Sequence, residues 1–241
     1  MYFLRKKSFF ILLIIIGFLL SPKLVKAQQP IIQQNYFRWY VNVDNVDPTD
    51  PWPEGANDLG ENTPITLSDS PPPQGTVLRI RMSLYVDPTG QPLQPLTRLK
   101  LQYGEKTGNS CSAITSWFDL APPSSCTFEE WCGYDNSPFD GQPITQLLLS
   151  VSDVLETYEE ENDAIVLNSV GPDQDGEWDW VIVNHNAKKN TSYCFRMVYS
   201  DGSEFDQYNY YPELTTQAIT VSGTVYRWVG GAHTPIGPNK T

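Results

Sequence analysis

The chain is poor in the residues on which many hydrolases and metal sites depend. It has two histidines, His185 and His233, and four cysteines. The cysteines form no C-x-x-C pair, which is the spacing typical of structural zinc sites. The G-x-S-x-G sequence that carries the nucleophile of α/β-hydrolases is also missing. The sequence therefore argues against a zinc protein and gives little support to a hydrolase.

Basic residues are also scarce. The chain has 16 Lys and Arg against 28 Asp and Glu, and five of the basic residues lie within the first 27 positions, where there are no acidic residues. The remaining 11 basic and 28 acidic residues give a net charge near −17. A surface of that sign repels nucleic acid and anionic lipid. We therefore expect no nucleic-acid partner.

Long apolar runs are confined to the N-terminus. Basic residues at positions 5–7 precede an apolar run at 9–20, and Val25 and Ala27 then occupy small-residue positions before a cleavage point. This pattern predicts a secretory signal peptide at residues 1–27. The run is shorter than the roughly 20 residues that cross a bilayer, and no second run follows. We expect an extracellular or cell-surface protein without a membrane span after cleavage.

An even number of cysteines behind a signal peptide indicates disulfides, and four cysteines allow three pairings. In the segment YCFRMVY at residues 193–199 the apolar side chains alternate, so Cys194 falls on the opposite face of the predicted strand. We expect it to hold a loop onto the outer side of its sheet. Cys132 is the candidate partner, which leaves Cys111 to pair with Cys126. The pairing of Cys111 with Cys194 stays open.

Several segments alternate apolar and polar residues with the period of a strand, and 20 prolines and 16 glycines supply turns. Examples are VLRIRMSLY, TRLKLQY, EWDWVIV and NYFRWYVNV. We predict an all-β, antiparallel, immunoglobulin-like β-sandwich over residues 28–221, whose strands have one wet face. Residues 150–163 are a short helix or an irregular acidic loop. Residues 222–241 are a last strand or the start of a further β-module.

One segment has the composition of a calcium loop. GPDQDGEWDW places Asp173, Asp175 and Glu177 at alternate positions around a glycine. Carboxylate oxygens are the ligands that calcium prefers. A β-turn with exposed acids explains the same pattern.

Aromatic residues in loop-like contexts are candidates for binding a ligand, because flat rings stack on the apolar faces of sugars. The alternative is that these rings fill the ends of the sandwich. The acidic runs at 129–130 and 159–161 are interpreted as solvated faces rather than a glycosidase pair. The candidate aromatic residues are Trp52, Trp117, Trp131, Tyr208 and Tyr210.

Five segments within residues 36–215 together resemble a recurrent module. They are NYFRWYVNVD, RIRMSLY, LQYGEKTGNSCSAITSWFDL, NTSYCFRMVYSDG and YNYYPELT. The combination is similar to the β-sandwich repeats of large secreted surface proteins of uncultivated ultra-small bacteria. The tail, with SGTVY, resembles the start of a carboxypeptidase-regulatory-like module. The resemblance implies a building block of a cell surface and no established activity.

These observations favour a non-enzymatic, secreted structural or adhesion module that binds a protein or glycan at a cell surface. A carbohydrate-binding module is the alternative, and a secreted hydrolase ranks third. A sugar binder is expected to show a row of exposed aromatic rings. An enzyme is expected to show a deep polar cleft with a titrating pair. We expect no cofactor other than calcium.

Overall fold

A computed structural model describes residues 29–55, 57–218, 226–229 and 232–235, so the predicted signal peptide lies outside the described residues. Within the described ranges the chain is almost entirely β, with two sheets packed against each other, which confirms the predicted all-β sandwich. The strands are β1 (Ile32–Val41), β2 (Val77–Val86), β3 (Leu99–Glu105), β4 (Phe118–Asp119), β5 (Trp131–Gly133), β6 (Val154–Glu159), β7 (Gln174–Asn184), β8 (Ser192–Tyr199), β9 (Gln207–Tyr208), β10 (Glu213–Thr215), β11 (Tyr226–Val229) and β12 (Ala232–Pro235).

The larger sheet has the order β5-β7-β2-β1-β9, and β6 also pairs with β7. Strands β5 and β6 follow one another along the same edge of β7, opposite residues 182–184 and 176–180. The smaller sheet has the order β10-β8-β3-β4. Most pairs are antiparallel, but β1 with β9 and β6 with β7 are parallel, which corrects the purely antiparallel prediction. The immunoglobulin-like architecture stays a prediction.

The main core lies between the sheets and is built from the alternating faces that the sequence predicted. Phe195 of β8 is central, with its ring centroid 5.8 Å from that of Trp39 and 5.3 Å from that of Trp131. Both contacts are edge-to-face, the arrangement that aromatic quadrupoles favour. Trp178 and Trp180 of β7 are buried in the same cluster. The tryptophans therefore hold the two sheets together.

The outer face of the larger sheet is not wet, contrary to the prediction. Arg79 and Arg81 of β2 and Asp179 of β7 are completely buried there. The Arg79 guanidinium donates to the carbonyl oxygens of Val43, Asn45 and Val46, and Arg81 donates to that of Gln146. The loops around residues 43–47 and 142–149 therefore form a third layer. A second small apolar cluster supports it, made of Val46, Ile144, Tyr158 and Val181.

The segment at 150–163 forms neither of the two structures that the sequence suggested. It contains β6, which pairs with β7 on one side. On its other side, Ile144 donates its N–H to the carbonyl oxygen of Glu156, and Tyr158 donates to that of Gln142. Residues 156–160 of the segment are buried, and both edges of β6 are paired.

Strands β11 and β12 form a two-stranded antiparallel sheet of their own. They are the described part of the predicted tail. The described residues contain no helix that is long and apolar enough to cross a membrane.

Candidate functional site

The two disulfides join Cys111 to Cys194 and Cys126 to Cys132. Cys194 lies on the outer side of β8, where it was expected, but the expected partner was wrong. Cys132 belongs to β5 of the other sheet, whereas the turn at Cys111–Ala113 lies beside β3. Gly104 of β3 faces Cys194 in the ladder, and a Cβ there would lie 2.7 Å from Ile114 Cγ2. Glycine therefore lets the Cys111 loop approach the sheet.

A groove of about 450 Å³ opens between the two disulfide loops. The loop that follows Cys111 supplies one wall, and the short loop closed by Cys126 and Cys132 supplies the other. Two exposed rings flank it, Phe118 at 56% and Phe128 at 84% exposure. We call it the disulfide groove, and its principal residues are Tyr103, Ile114, Phe118, Phe128, Glu129 and Lys188.

The rim of the disulfide groove is mainly acidic. Glu105, Glu129 and Glu130 line it together with one basic residue, Lys188, whose ammonium pairs with the Glu105 carboxylate. Hydrogen bonds from the backbone N–H groups of residues 127 and 128 hold the pKa of Glu129 below its usual value. Glu129 is thus a fixed anion beside the exposed Phe128 ring.

Two of the predicted aromatic ligand residues, Trp117 and Tyr208, each stack on the ring of Tyr211 instead of forming an open platform. The Trp117 ring lies parallel to that of Tyr211 at 6.0 Å between centroids, and Tyr211 lies parallel to Tyr208 at 5.3 Å. The guanidinium carbon of Arg196 lies 4.3 Å from the centroid of Trp117. These contacts occupy ring faces that a ligand would need.

The other three predicted aromatic residues lie in separate places. Trp131 is fully buried in the core, so its prediction as a ligand-facing residue was wrong. Trp52 packs against the core, and its indole N–H donates to the carbonyl oxygen of Asp69. Tyr210 is exposed and contacts the ring of Tyr36. The sequence singled out Trp117, which is not among the residues that line the groove, and missed Phe118 and Phe128, which do line it. Their loop-like sequence context did not by itself show that their rings are exposed.

The predicted calcium residues are bound to different protein groups. Asp173 accepts a hydrogen bond from the Tyr85 hydroxyl. Asp175 and Glu177 are buried, and the three do not form one of the ligand clusters found among the described residues. Their polar partners are Ser83 and Asn35 for Asp175, and Arg81 with the N–H groups of Leu148 and Leu149 for Glu177. The prediction of calcium at these residues stays a prediction.

A different acidic cluster lies beside β6. One carboxylate oxygen from each of Asp140, Glu159 and Asp163 falls within 4.8 Å of the others. Glu159 and Glu160 are buried, so the interpretation of residues 159–161 as a solvated face was wrong for these two. Burial, followed by the charges of Asp140 and Asp163, raises the pKa of Glu159 well above its usual value. The strand formers Val154, Thr157 and Tyr158 within the acidic run were the signal for a buried strand.

Glu156, also on β6, is expected to make stability depend on pH. Its Oε2 accepts N–H groups from Leu167 and Asn168, while Oε1 has no partner. Burial raises the pKa of Glu156 from 4.5 to about 8. Between pH 4.5 and about 8 the folded state therefore holds a proton on Glu156 that the unfolded state has released. The stability that this proton contributes is complete below pH 4.5 and is lost as the pH rises through about 8. Glu156→Gln, which mimics the neutral acid, should remove on the order of 3 kcal/mol of pH dependence between pH 5 and 9.

Urea unfolding of both proteins in EDTA across this pH range measures the effect. Glu54→Gln, at an exposed position, is the matched control and should keep the wild-type slope. Parallel curves for the wild type and Glu156→Gln would show that Glu156 does not carry the pH dependence.

Comparisons with protein-family models, curated proteins and solved structures find no match to this chain.

Proposed function

We propose that this chain is a non-enzymatic, secreted cell-surface module that adheres to a partner through the disulfide groove. The observation that carries the proposal is the pair of exposed phenylalanines held on two covalently braced loops. Exposed rings that cluster at a concave site are typical of binding surfaces, where a few aromatic anchors supply most of the affinity. Bracing such loops in advance reduces the entropy lost on binding.

The two disulfides also support a location outside the cytosol, because disulfides persist in oxidising compartments. The predicted signal peptide points to the same location. The resemblance to repeats of bacterial surface proteins agrees with a role at the cell surface.

The charge of the groove favours one kind of partner. Three glutamates and one lysine line the groove, and the chain as a whole is acidic. Complementary charge guides association and penalises partners of like sign. The groove therefore suits a protein surface with basic side chains around an apolar protrusion.

A carbohydrate remains the second candidate, because Phe118 and Phe128 flank a groove that also contains carboxylates. Carboxylates accept hydrogen bonds from sugar hydroxyls, and rings stack on sugar faces. A glycan array probed with the wild type and with Phe128→Ser separates the two candidates.

Phe128→Ser is expected to weaken adhesion of the purified module to cells that display its partner by about 10- to 100-fold, because it removes the burial of one aromatic side chain. Binding isotherms on intact cells measure the change. Phe139→Ser is the matched control, since Phe139 is 85% exposed and does not line the groove.

Equal binding by the Phe128 and Phe139 variants would contradict a role for the groove. Saturable binding to a glycan array that is lost in Phe128→Ser would instead support the carbohydrate-binding function. High salt should weaken binding to a basic protein partner more than binding to a neutral glycan.

A further inference from the structure

The acidic cluster beside β6 lines a cavity that is separate from the disulfide groove. Asp140, Glu159 and Asp163 line a space of about 320 Å³ together with Gly141 and Thr157. The cavity mouth is bordered by apolar side chains that include Leu96 and Leu167. Three carboxylates thus line one cavity, and the cavity leaves space for a ligand beside them.

Glu159 has an oxygen that the protein leaves without a partner. The side chain is almost fully buried, at 1% exposure. Its Oε1 accepts a hydrogen bond from the Thr157 hydroxyl, but its buried Oε2 has no hydrogen-bond partner. A buried polar atom without a partner is costly and calls for an explanation. A bound cation supplies one.

The neighbouring carboxylates increase the free-energy cost of burying the Glu159 side chain. Burial first, and then the neighbouring Asp163, raise the pKa of Asp140. Among the described residues the basic side chain that pairs with the cluster is Arg98, which is exposed and whose Nη1 lies 3.9 Å from Asp163 Oδ2. Carboxylates that share a site without a cation repel one another, so at least one tends to hold a proton.

Asp140 is held in place by the backbone of the two residues that follow β6. Its Oδ1 accepts N–H groups from Glu160 and Glu161, the latter at 3.0 Å. These bonds fix Asp140 beside Glu159 and leave Oδ2 free of backbone partners in the described part of the chain. The cluster therefore combines two positioned carboxylates with a third, Asp163, that is exposed at the surface.

We propose that Asp140, Glu159 and Asp163 form a binding site for a divalent cation of the calcium type. Calcium accepts oxygen ligands at flexible geometry and completes its shell with water, which suits an open site with three carboxylates. Magnesium requires near-ideal octahedral geometry and fits this arrangement less well. With three protein carboxylates the affinity should fall in the range of about 10⁻⁴ to 10⁻³ M that extracellular modules show.

The test is thermal unfolding of the mature protein after treatment with EDTA, with and without 10 mM CaCl2. Calcium should raise the Tm of the wild type by about 3–6 °C, because it binds only the folded state. Calorimetric titration with CaCl2 should give one site. Glu159→Gln and Asp163→Asn should each abolish the calcium-dependent rise. The calcium-free Tm of each should equal or exceed that of the wild type, since each removes a repelling charge.

Asp163→Asn changes an exposed side chain, so it tests the site even where Glu159→Gln fails to fold. Asp173→Asn is the control at the acidic turn before β7, and it should keep the full calcium response. An absent calcium response in the wild type would overturn the proposal. A response that survives in Asp163→Asn would overturn this location, and an equal response to MgCl2 would overturn the assignment to calcium.

Discussion

Replacement of Asp179 by asparagine is expected to lower the free energy of unfolding by about 3–5 kcal/mol. The two carboxylate oxygens of Asp179 each accept a hydrogen bond from a different arginine, with Arg79 Nε at 2.6 Å from Oδ1 and Arg81 Nε bonded to Oδ2. All three side chains are completely buried. Arginine does not lose its proton in proteins, so Asp179→Asn leaves the buried Arg79 without the carboxylate that pairs with it. Arg81 keeps its ion pairs with Asp47 and Glu177.

Urea unfolding under non-reducing conditions measures this loss. The matched control is Glu204→Gln, which breaks the ion pair between Arg196 and a carboxylate that is largely exposed. Exposed pairs contribute about 1 kcal/mol or less. Equal losses in the two variants would show that water or a rearranged side chain replaces Asp179 in the third layer.

Removal of the Cys111–Cys194 disulfide by paired serine substitutions is expected to destabilise the domain by about 4–5 kcal/mol. The disulfide closes a loop of sequence separation 83, whereas Cys126–Cys132 closes one of separation 6. In the chain-entropy model the shorter loop contributes only about 2 kcal/mol. The two double variants carry the same chemical change, the replacement of two cysteines by serines, so each is the control for the other.

Chemical denaturation of the two double variants measures how much free energy of unfolding is lost with each disulfide. A larger loss for the Cys126–Cys132 variant would show that local packing, not loop entropy, sets the effect of each disulfide. The Cys111–Cys194 variant should also lose adhesion, because the wall of the disulfide groove that contains Ile114 and Phe118 is then held to the sheet only by noncovalent contacts.

The inward faces of the strands were predictable because their signal is local. Alternation in residues 77–85 placed Leu78, Ile80 and Met82 on one face, and all three are in the main core. The same reasoning placed Cys194 on the outer side of its strand. A period of two residues needs no knowledge of the rest of the chain.

The third layer was not predictable in this way. Arg79 and Arg81 have the pattern of a wet face, and their burial depends on loops more than 30 residues away along the chain. Arg81 is directly opposite Asp179 in the β2–β7 register, and only that register shows that the charges pair. Sequence alternation distinguishes the two faces of a strand but does not show what covers each face.

The cysteine pairing and the acidic cavity depended on tertiary geometry for the same reason. Cys111 reaches Cys194 because Gly104 allows a loop to lie on β3, and the ladder places Gly104 opposite Cys194. Asp140 reaches Glu159 because Gln142 and Ile144 run beside β6. In both cases the partners are fixed by which strands are neighbours.

The parallel pairing of β1 with β9 has a consequence for how the chain reaches this fold. The Ile32 N–H donates to the Asp206 carboxylate across a separation of 174 residues, so one edge of β1 at its N-terminal end stays unpaired until almost the whole domain is available. Contacts of such long range slow folding, and an unpaired edge recruits other chains in the meantime. A chain with this topology is therefore most exposed to aggregation before β9 is available, and dilution or a chaperone should raise the yield of folded protein.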